Sequence, residues 1–327
     1  MNYIIAVDVG YGFTKYCIGQ KKQTPKKNSF PTIVNKKLMV NNIELNDHKT
    51  NDILINIDDN IFEIGNYTST DFLDNIFTLG NEFHGSIQWK AIIYKILADC
   101  YPKGFNKDDK YHLIIGLPLN QMINDSLLIQ EMKKPIKFKD QFNNTYNYKI
   151  DSVKVLPQGA GSIYTFDKNI FDYDICIIDI GHYTIDIAIF EEGIYSNSLS
   201  FSINEGTFNI SKKILEMLKQ NYNINDIPHS KLEKQLIKGK ISYKGEIINL
   251  EPYKKNIGID YAIKIDQLLK SKLGSMYELI HNFIVIGGGV NLVFDGFNNN
   301  KMFTCELKDS NYRNALGYYN YAQSYII

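Results

Sequence analysis

Residues 177–190 read IIDIGHYTIDIAIF. Isoleucines crowd the stretch as in a buried β-strand, yet Asp179 and Asp186 interrupt it. A buried carboxylate costs several kcal/mol unless something pairs with it. Asp179 therefore either caps a turn or faces a cation. Residues 4–16, IIAVDVGYGFTKY, follow the same plan as residues 175–187, ICIIDIGHYTIDI: an apolar strand, Asp, an apolar residue, Gly, two turn residues and a second strand. Each copy predicts a β-hairpin with its tight turn after the Asp, where Gly10, Gly12 and Gly181 let the backbone bend sharply or approach a ligand. The alternation of Ile185, Ile187 and Ile189 supports the second strand. One Asp-x-Gly hairpin is more often a plain turn than a phosphate cradle. Two copies point to a chain built from two similar halves.

Composition narrows the classes. At 327 residues the chain favours two domains and can bury roughly three quarters of its unfolded surface. Lys plus Arg and Asp plus Glu each number 36, so no net field draws the protein to nucleic acid or an anionic membrane. Neither direct nucleic-acid binding nor membrane association is expected. Cys17, Cys100, Cys176 and Cys305 are scattered without metal-ligand spacing, which disfavours a zinc site and a disulfide framework. Asp8 breaks the short N-terminal apolar run, and no stretch reaches the roughly 18 apolar residues of a membrane span. A cytoplasmic location is the expectation. Arg313 is the chain's sole arginine, and the paired lysines at 21–22 and 26–27 read as solvated loops.

Around the two hairpins the pattern alternates between strands and helices. YHLIIGLPLN (111–120) reads as a buried strand, and QMINDSLLIQEMKK after it has helical spacing. SVKVLPQGAGSIYTF (152–166) reads as a strand, a Pro-Gln-Gly turn and the start of a helix. NEGTFNISKKILEMLKQ (204–220) opens a helix at Gly206 with Ile210, Ile214, Leu215 and Leu218 on one face. NFIVIGGGVNLVFDGF (282–297) is a buried strand, three glycines and a helix. In such α/β arrangements ligands bind beyond the carboxyl ends of strands. Residues between Pro31 and about Ile87, and between about Ile224 and Ile257, read as polar and irregular insertions.

These motifs, in this order, resemble the five motifs of the actin-like ATPases, most closely the bacterial plasmid-segregation, ParM-like branch. DVGYGFTK (8–15) resembles the first phosphate motif, VKVLPQGAG (153–161) the first connecting motif and DIGHYTID (179–186) the second phosphate motif. IVIGGGVNL (284–292) is similar to the adenosine motif and SNYRNALGYYNY (310–321) to the second connecting motif; GLPL (116–119) also looks like this branch. The resemblance implies a two-domain actin-like α/β fold of duplicated ribonuclease-H-like halves with a nucleotide cleft between them. Its bounds would be 1–157, with a subdomain inserted at about 31–87, and 158–327, with one inserted at about 207–256 and a C-terminal segment, about 306–327, that returns to the first domain.

The resemblance also implies a site. Asp8 and Asp179 would hold Mg²⁺ through its waters, since this ion usually keeps several. The backbone N–H groups of Gly10, Tyr11 and Gly12, and those of Gly181, His182, Tyr183 and Thr184, would point at phosphates, with Lys15 adding a point charge. Gly287, Gly288 and Gly289 would admit the α-phosphate and adenosine, and Gly206 would shape the ribose side. Gln158 stands where the family orients its attacking water, a task an amide performs without acting as a base. Asp186 reads as structural. His182 and Tyr183 occupy places where the family often has a small residue, so no catalytic role falls to His182.

The nucleotide implied is ATP, with GTP as the alternative. Three classes share such a site. A chaperone-type switch would need a further domain after the ATPase, and the sequence ends shortly after the last motif. A small-molecule kinase would need a carboxylate base where Gln158 stands, and it is the alternative reading. The expectation is a self-polymerising, Mg-dependent ATPase that forms head-to-tail helical filaments for plasmid DNA segregation, coupled to its cargo by a DNA-binding adaptor protein.

Overall fold

The computed structural model describes residues 1–37, 54–65, 83–224, 227, 229–298 and 300–326. Of the insertion expected at about 31–87, residues 38–53 and 66–82 lie outside the described residues. The chain divides into two compact units. One comprises Met1–Leu117, Gln121–Pro157 and Ala315–Ile327; the other comprises Pro118–Asn120 and Gln158–Asn314.

In the first unit, β1 (Asn2–Val9), β2 (Phe13–Gln20) and β3 (Lys26–Pro31) form an antiparallel meander. Lys26 and Lys27, read as loop, begin β3 and are exposed along it. β4 (Val34–Lys37), β5 (Ile55–Ile57) and β6 (Asn60–Ile64) precede α1 (Ile87–Cys100) and β7 (Lys110–Leu117). A 3₁₀ segment, Leu119–Asn124, leads into α2 (Asp125–Met132), and β8 (Ile136–Lys139), β9 (Thr145–Tyr148) and β10 (Ser152–Pro157) follow. The main sheet has the order β10-β7-β1-β2-β3, with β1, β7 and β10 parallel. A second, antiparallel sheet, β4-β6-β5-β8-β9, joins described residues of the insertion to the 136–148 segment.

Side chains alternate along β1 as the pleat requires. Ile5, Val7 and Val9 enter a core with Trp89, Ile92 and Ile93 of α1, whereas Ile4 and Ala6 pack with Ala315, Tyr318, Tyr319 and Ala322 of the C-terminal helix, Arg313–Tyr325. Both faces are covered, which is why the strand reads as a continuous apolar run.

The second unit has the same wiring. β11 (Ile175–Ile180), β12 (Ile185–Glu191), β13 (Ile194–Tyr195) and β14 (Phe201–Ile203) precede α3 (Thr207–Tyr222) and α4 (His229–Lys238). A hairpin of β15 (Lys240–Tyr243) and β16 (Glu246–Asn249) then leads to α5 (Glu251–Leu273), α6 (Met276–Leu279), β17 (Asn282–Ile286), α7 (Val290–Phe297) and β18 (Phe303–Cys305). β11 pairs antiparallel with β12 and parallel with β17, and β17 pairs parallel with β18. β12 continues antiparallel to β13 and β14. Two hairpin-led sheets of corresponding order are what the duplicated Asp-x-Gly segments predict. The 224–257 stretch, read as irregular, contains α4 and the β15–β16 hairpin.

Candidate functional site

Alternation in β11 sends Cys176, Ile178 and Ile180 into the core under α3, α5 and α7. Ile175 and Ile177 face the other way, toward Ala160 and Ile163 of the 3₁₀ segment Ala160–Thr165. Asp179 continues that second face at the carboxyl end of the strand. Its direct cross-strand partner is Asp186, so two carboxylates share one face of the hairpin. Like charges placed so are destabilising, and hydrogen bonds offset the cost. Asn314 donates through Nδ2 to Asp179 Oδ2 at 2.6 Å. Asp186 is buried and accepts from the Ser202 hydroxyl and, at 3.4 Å, from Thr184 Oγ1. Asp179 is partly exposed, whereas Asp186 is buried.

The turn after Asp179 is closed by the Gly181 N–H donating to the Thr184 carbonyl at 2.9 Å. The carbonyls of Gly181, His182 and Tyr183 accept from the N–H groups of Thr207 (3.0 Å), Phe208 (2.8 Å) and Gly206 (3.0 Å), so the turn caps the start of α3. In a trans peptide the following N–H points opposite to the carbonyl, and no peptide bond here is cis. The N–H groups of His182, Tyr183 and Thr184 are thereby all turned away from α3, an arrangement that suits an anion. The Gly181 N–H is committed to the turn itself, which corrects its expected place among the phosphate donors.

In the first unit the residue opposite the Asp is a lysine. Lys15 is the register partner of Asp8, and its Nζ stands 3.7 Å from Asp8 Oδ2. The ammonium also overlies Gly10, where a Cβ would come 3.1 Å from Nζ. Thr32 fixes the turn: its hydroxyl donates to the Gly10 carbonyl at 2.6 Å and its N–H to the Gly12 carbonyl at 3.0 Å. The peptide that follows Gly10 accordingly aims the Tyr11 N–H away from Thr32. Gln158, buried, follows β10 and precedes Gly159.

A family model described as "Actin like proteins N terminal domain" matches residues 6–161, and one described as "Archaeal actin homologue MreB-like, C-terminal" matches residues 177–299. Each contains one of the two hairpins. The chain belongs to the actin-like proteins. Among solved structures, the archaeal actin homologue Ta0583 in complex with ADP aligns with a TM-score of 0.75 at 18% identity, over 98% of this chain and 99% of that one. A ParM from Clostridium botulinum, solved as a 15-stranded filament, gives 0.74 at 21% identity over 99% and 100%. Bacillus thuringiensis ParM with ATP gives 0.68 at 14% over 97% and 96%. These likenesses establish the two-domain actin-like α/β fold. No curated protein matches the sequence.

The triple glycine of this actin-like chain divides its labour. Gly287 has φ +99, and a Cβ there would collide with Asp179 Oδ1 and lie 2.5 Å from the Ile180 carbonyl oxygen. A Cβ on Gly289 would press on Ile180 and lie 2.5 Å from Thr207 Cγ2, and its N–H already donates to the Ile180 carbonyl at 3.0 Å. These two seat the β17–α7 loop against the end of β11. Gly288, with nothing within 4 Å of its Cβ position, is the member whose surroundings are open to a ligand. Gly206 is likewise needed locally, because a Cβ would collide with the His182 carbonyl and sit 2.5 Å from the Tyr183 nitrogen.

Two neighbours of the site escaped the sequence reading. Glu233 of α4 has Oε1 at 3.6 Å from His182 Nδ1 and accepts from Ser211 Oγ at 3.0 Å. Burial pushes its carboxyl up to about 7. The other is Asn314, within the last motif but not singled out by it.

A divalent cation fits this donor set in one manner. Among the described residues no three His, Cys, Asp or Glu side chains converge, so Mg²⁺ would rely on one or two carboxylates, water and phosphate oxygens, its usual mode. Among the described residues no helix is long and apolar enough to cross a membrane.

Proposed function

We propose that this actin-like chain is a Mg-dependent ATPase that assembles into filaments. The observation that carries the reading is the pair of Asp-x-Gly hairpins at corresponding places in two sheets of the same wiring, one of which turns three consecutive backbone N–H groups away from α3. Asp8 and Asp179 are the carboxylates for the metal, which would offset charge developing on the phosphates. Gly10, Tyr11, Gly12 and Lys15 serve the phosphates from the first hairpin, and His182, Tyr183 and Thr184 from the second. Gly288 leaves room for the nucleoside side of ATP. Gln158 orients water, so that hydrolysis is slow and dominated by positioning.

Support for self-association comes from a relative, a ParM solved as a filament, and support for the nucleotide from the archaeal homologue solved with ADP. The zero net charge argues for a separate DNA-binding adaptor if the cargo is plasmid DNA, the role we infer from the ParM-like motif set. The test is phosphate release from ATP and from GTP with and without Mg²⁺, alongside electron microscopy of the same samples. Mg-dependent release with filaments supports the reading. Transfer of phosphate to a small hydroxylated acceptor by a non-polymerising protein overturns it in favour of the kinase.

A further inference from the structure

Asn314 is buried, with 5% of its surface exposed, and uses both ends of its amide. Nδ2 donates to Asp179 Oδ2 at 2.6 Å, and Oδ1 accepts from the Gly159 N–H at 3.1 Å. One planar group thus joins the carboxylate at the end of β11 to the turn that carries Gln158. Gly159 has φ +79, so the turn's path is set by its backbone and held at its N–H by Asn314. The neighbouring Arg313 secures the helix end that presents this amide. Its guanidinium donates to Thr165 Oγ1 at 2.9 Å and Glu306 Oε2 at 2.5 Å and lies 4.9 Å over the Phe166 ring. The chain's only arginine is therefore spent on immobilising the residue next to Asn314.

We infer that Asn314 is a positioning residue that fixes the Asp179 carboxylate and the Gln158–Gly159 turn in one relation, and so sets turnover rather than nucleotide affinity. The inference rests on the ATPase reading above. An acceptor-only carboxylate, such as Asp179, gains a donor that fixes the orientation of one of its oxygens and with it the carboxylate plane. The same amide holds the Gly159 N–H, in the peptide that follows the residue proposed to orient water. Small misplacements of such groups cost on the order of 10²-fold in rate.

The test uses the full chain with Asn314→Ala and Asn314→Asp. Asn314→Ala removes both bonds; Asn314→Asp keeps the volume and the acceptor for Gly159 but sets a carboxylate against Asp179. Steady-state kcat and KM for ATP with Mg²⁺ are measured after normalising to the stoichiometry of bound nucleotide, with amide exchange at Gly159 followed in parallel. The expected result is a kcat lowered on the order of 10²-fold in both variants, KM changed by less than about threefold, and faster Gly159 exchange in Asn314→Ala only. A purely structural role would reduce the binding-competent fraction and leave turnover per bound nucleotide unchanged, which overturns the inference. If Asn314→Ala does not fold, wild-type turnover in folded Asn314→Asp overturns it equally. A wild-type chain that binds no nucleotide overturns the functional reading and this inference with it, whereas wild-type turnover unaltered by either variant overturns the inference alone.

Discussion

Asp179 and Asp186 stand directly opposite one another on β11 and β12, two carboxylates on one face of one hairpin. Proteins retain such repulsion where function demands it, and its removal tends to stabilise. Asp179→Asn is therefore expected to leave the melting temperature equal or higher and to abolish Mg-dependent hydrolysis. Asp186 is buried and satisfied by Ser202 and Thr184, so its expected role is structural. Asp186→Asn should keep at least half of wild-type turnover, allowing for about 1 kcal/mol lost with the charge-assisted bonds. Paired calorimetry and phosphate-release assays decide it; normal turnover in Asp179→Asn would remove the hairpin from the site.

The glycines of the β17–α7 loop make opposite predictions. Gly287→Ala must adopt a left-handed φ of +99 and press on Asp179 and Ile180, so a loss of about 2–4 kcal/mol is expected. Gly288→Ala meets nothing within 4 Å, so stability should change by less than about 1 kcal/mol while nucleotide affinity falls. Denaturant midpoints and nucleotide titrations separate the two. Equal destabilisation by both would refute the division of roles.

The hairpins were legible because their leading strands, β1 and β11, are buried on both faces and so read as apolar runs broken by Asp8 and Asp179. The 224–257 elements were not. In α4 the described side chains that are buried are Leu232 and Leu236, and the two following strands bury Ile241 and Ile248, too few apolar positions to show a period. Asn314 was illegible for another reason: its partners lie 135 and 155 positions away, and nothing local distinguishes it from other asparagines. Nor does a glycine announce whether its missing Cβ makes room for a ligand or for the protein's own backbone. At Gly287 and Gly206 a Cβ would meet the protein's own backbone.

Glu233 gives the fold a pH dependence. Its carboxyl is raised to about 7 by burial, opposed by the Ser211 hydrogen bond, whereas in the unfolded chain it titrates near 4.5. The native state then holds the proton longer than the unfolded state, so this group's contribution to stability falls as pH rises from about 4.5 to about 7 and is level above. At about 1.4 kcal/mol per pKa unit the fall is at most about 3 kcal/mol. Glu233→Gln, which cannot ionise, should lose this slope. Urea midpoints of both proteins at about pH 5 and about pH 8 should diverge at the higher value, with the variant the more stable; parallel pH profiles would show that Glu233 does not carry the effect.

Gln158 separates water orientation from nucleotide contact. Buried beside the Gly159 turn, it is expected on Gln158→Ala to slow phosphate release on the order of 10²-fold while nucleotide affinity changes little. Single-turnover hydrolysis and equilibrium binding of the same preparation measure the two separately. Unchanged hydrolysis with lost binding would place Gln158 against the nucleotide instead.

Assembly distinguishes the filament from the kinase, and Gln158→Ala again supplies the control. A contact between unlike surfaces of successive copies does not close on itself, so it propagates into a helical polymer. Nucleotide drives that polymer only to the extent that the contact is tighter in one nucleotide state than in the other. If ATP favours the tighter state, light scattering should rise sharply above a threshold protein concentration on addition of ATP and Mg²⁺, then decay as phosphate is released. Hydrolysis being the timer, Gln158→Ala filaments should form at a similar threshold and outlast those of the wild type by about the factor by which hydrolysis slows. Electron microscopy and sedimentation at tens of micromolar, roughly where weak contacts of this kind saturate, provide the measurement. Wild-type and Gln158→Ala filaments that decay at the same rate while their hydrolysis rates differ would uncouple assembly from turnover, and a chain that stays monomeric with ATP would leave the nucleotide site without a polymer to control.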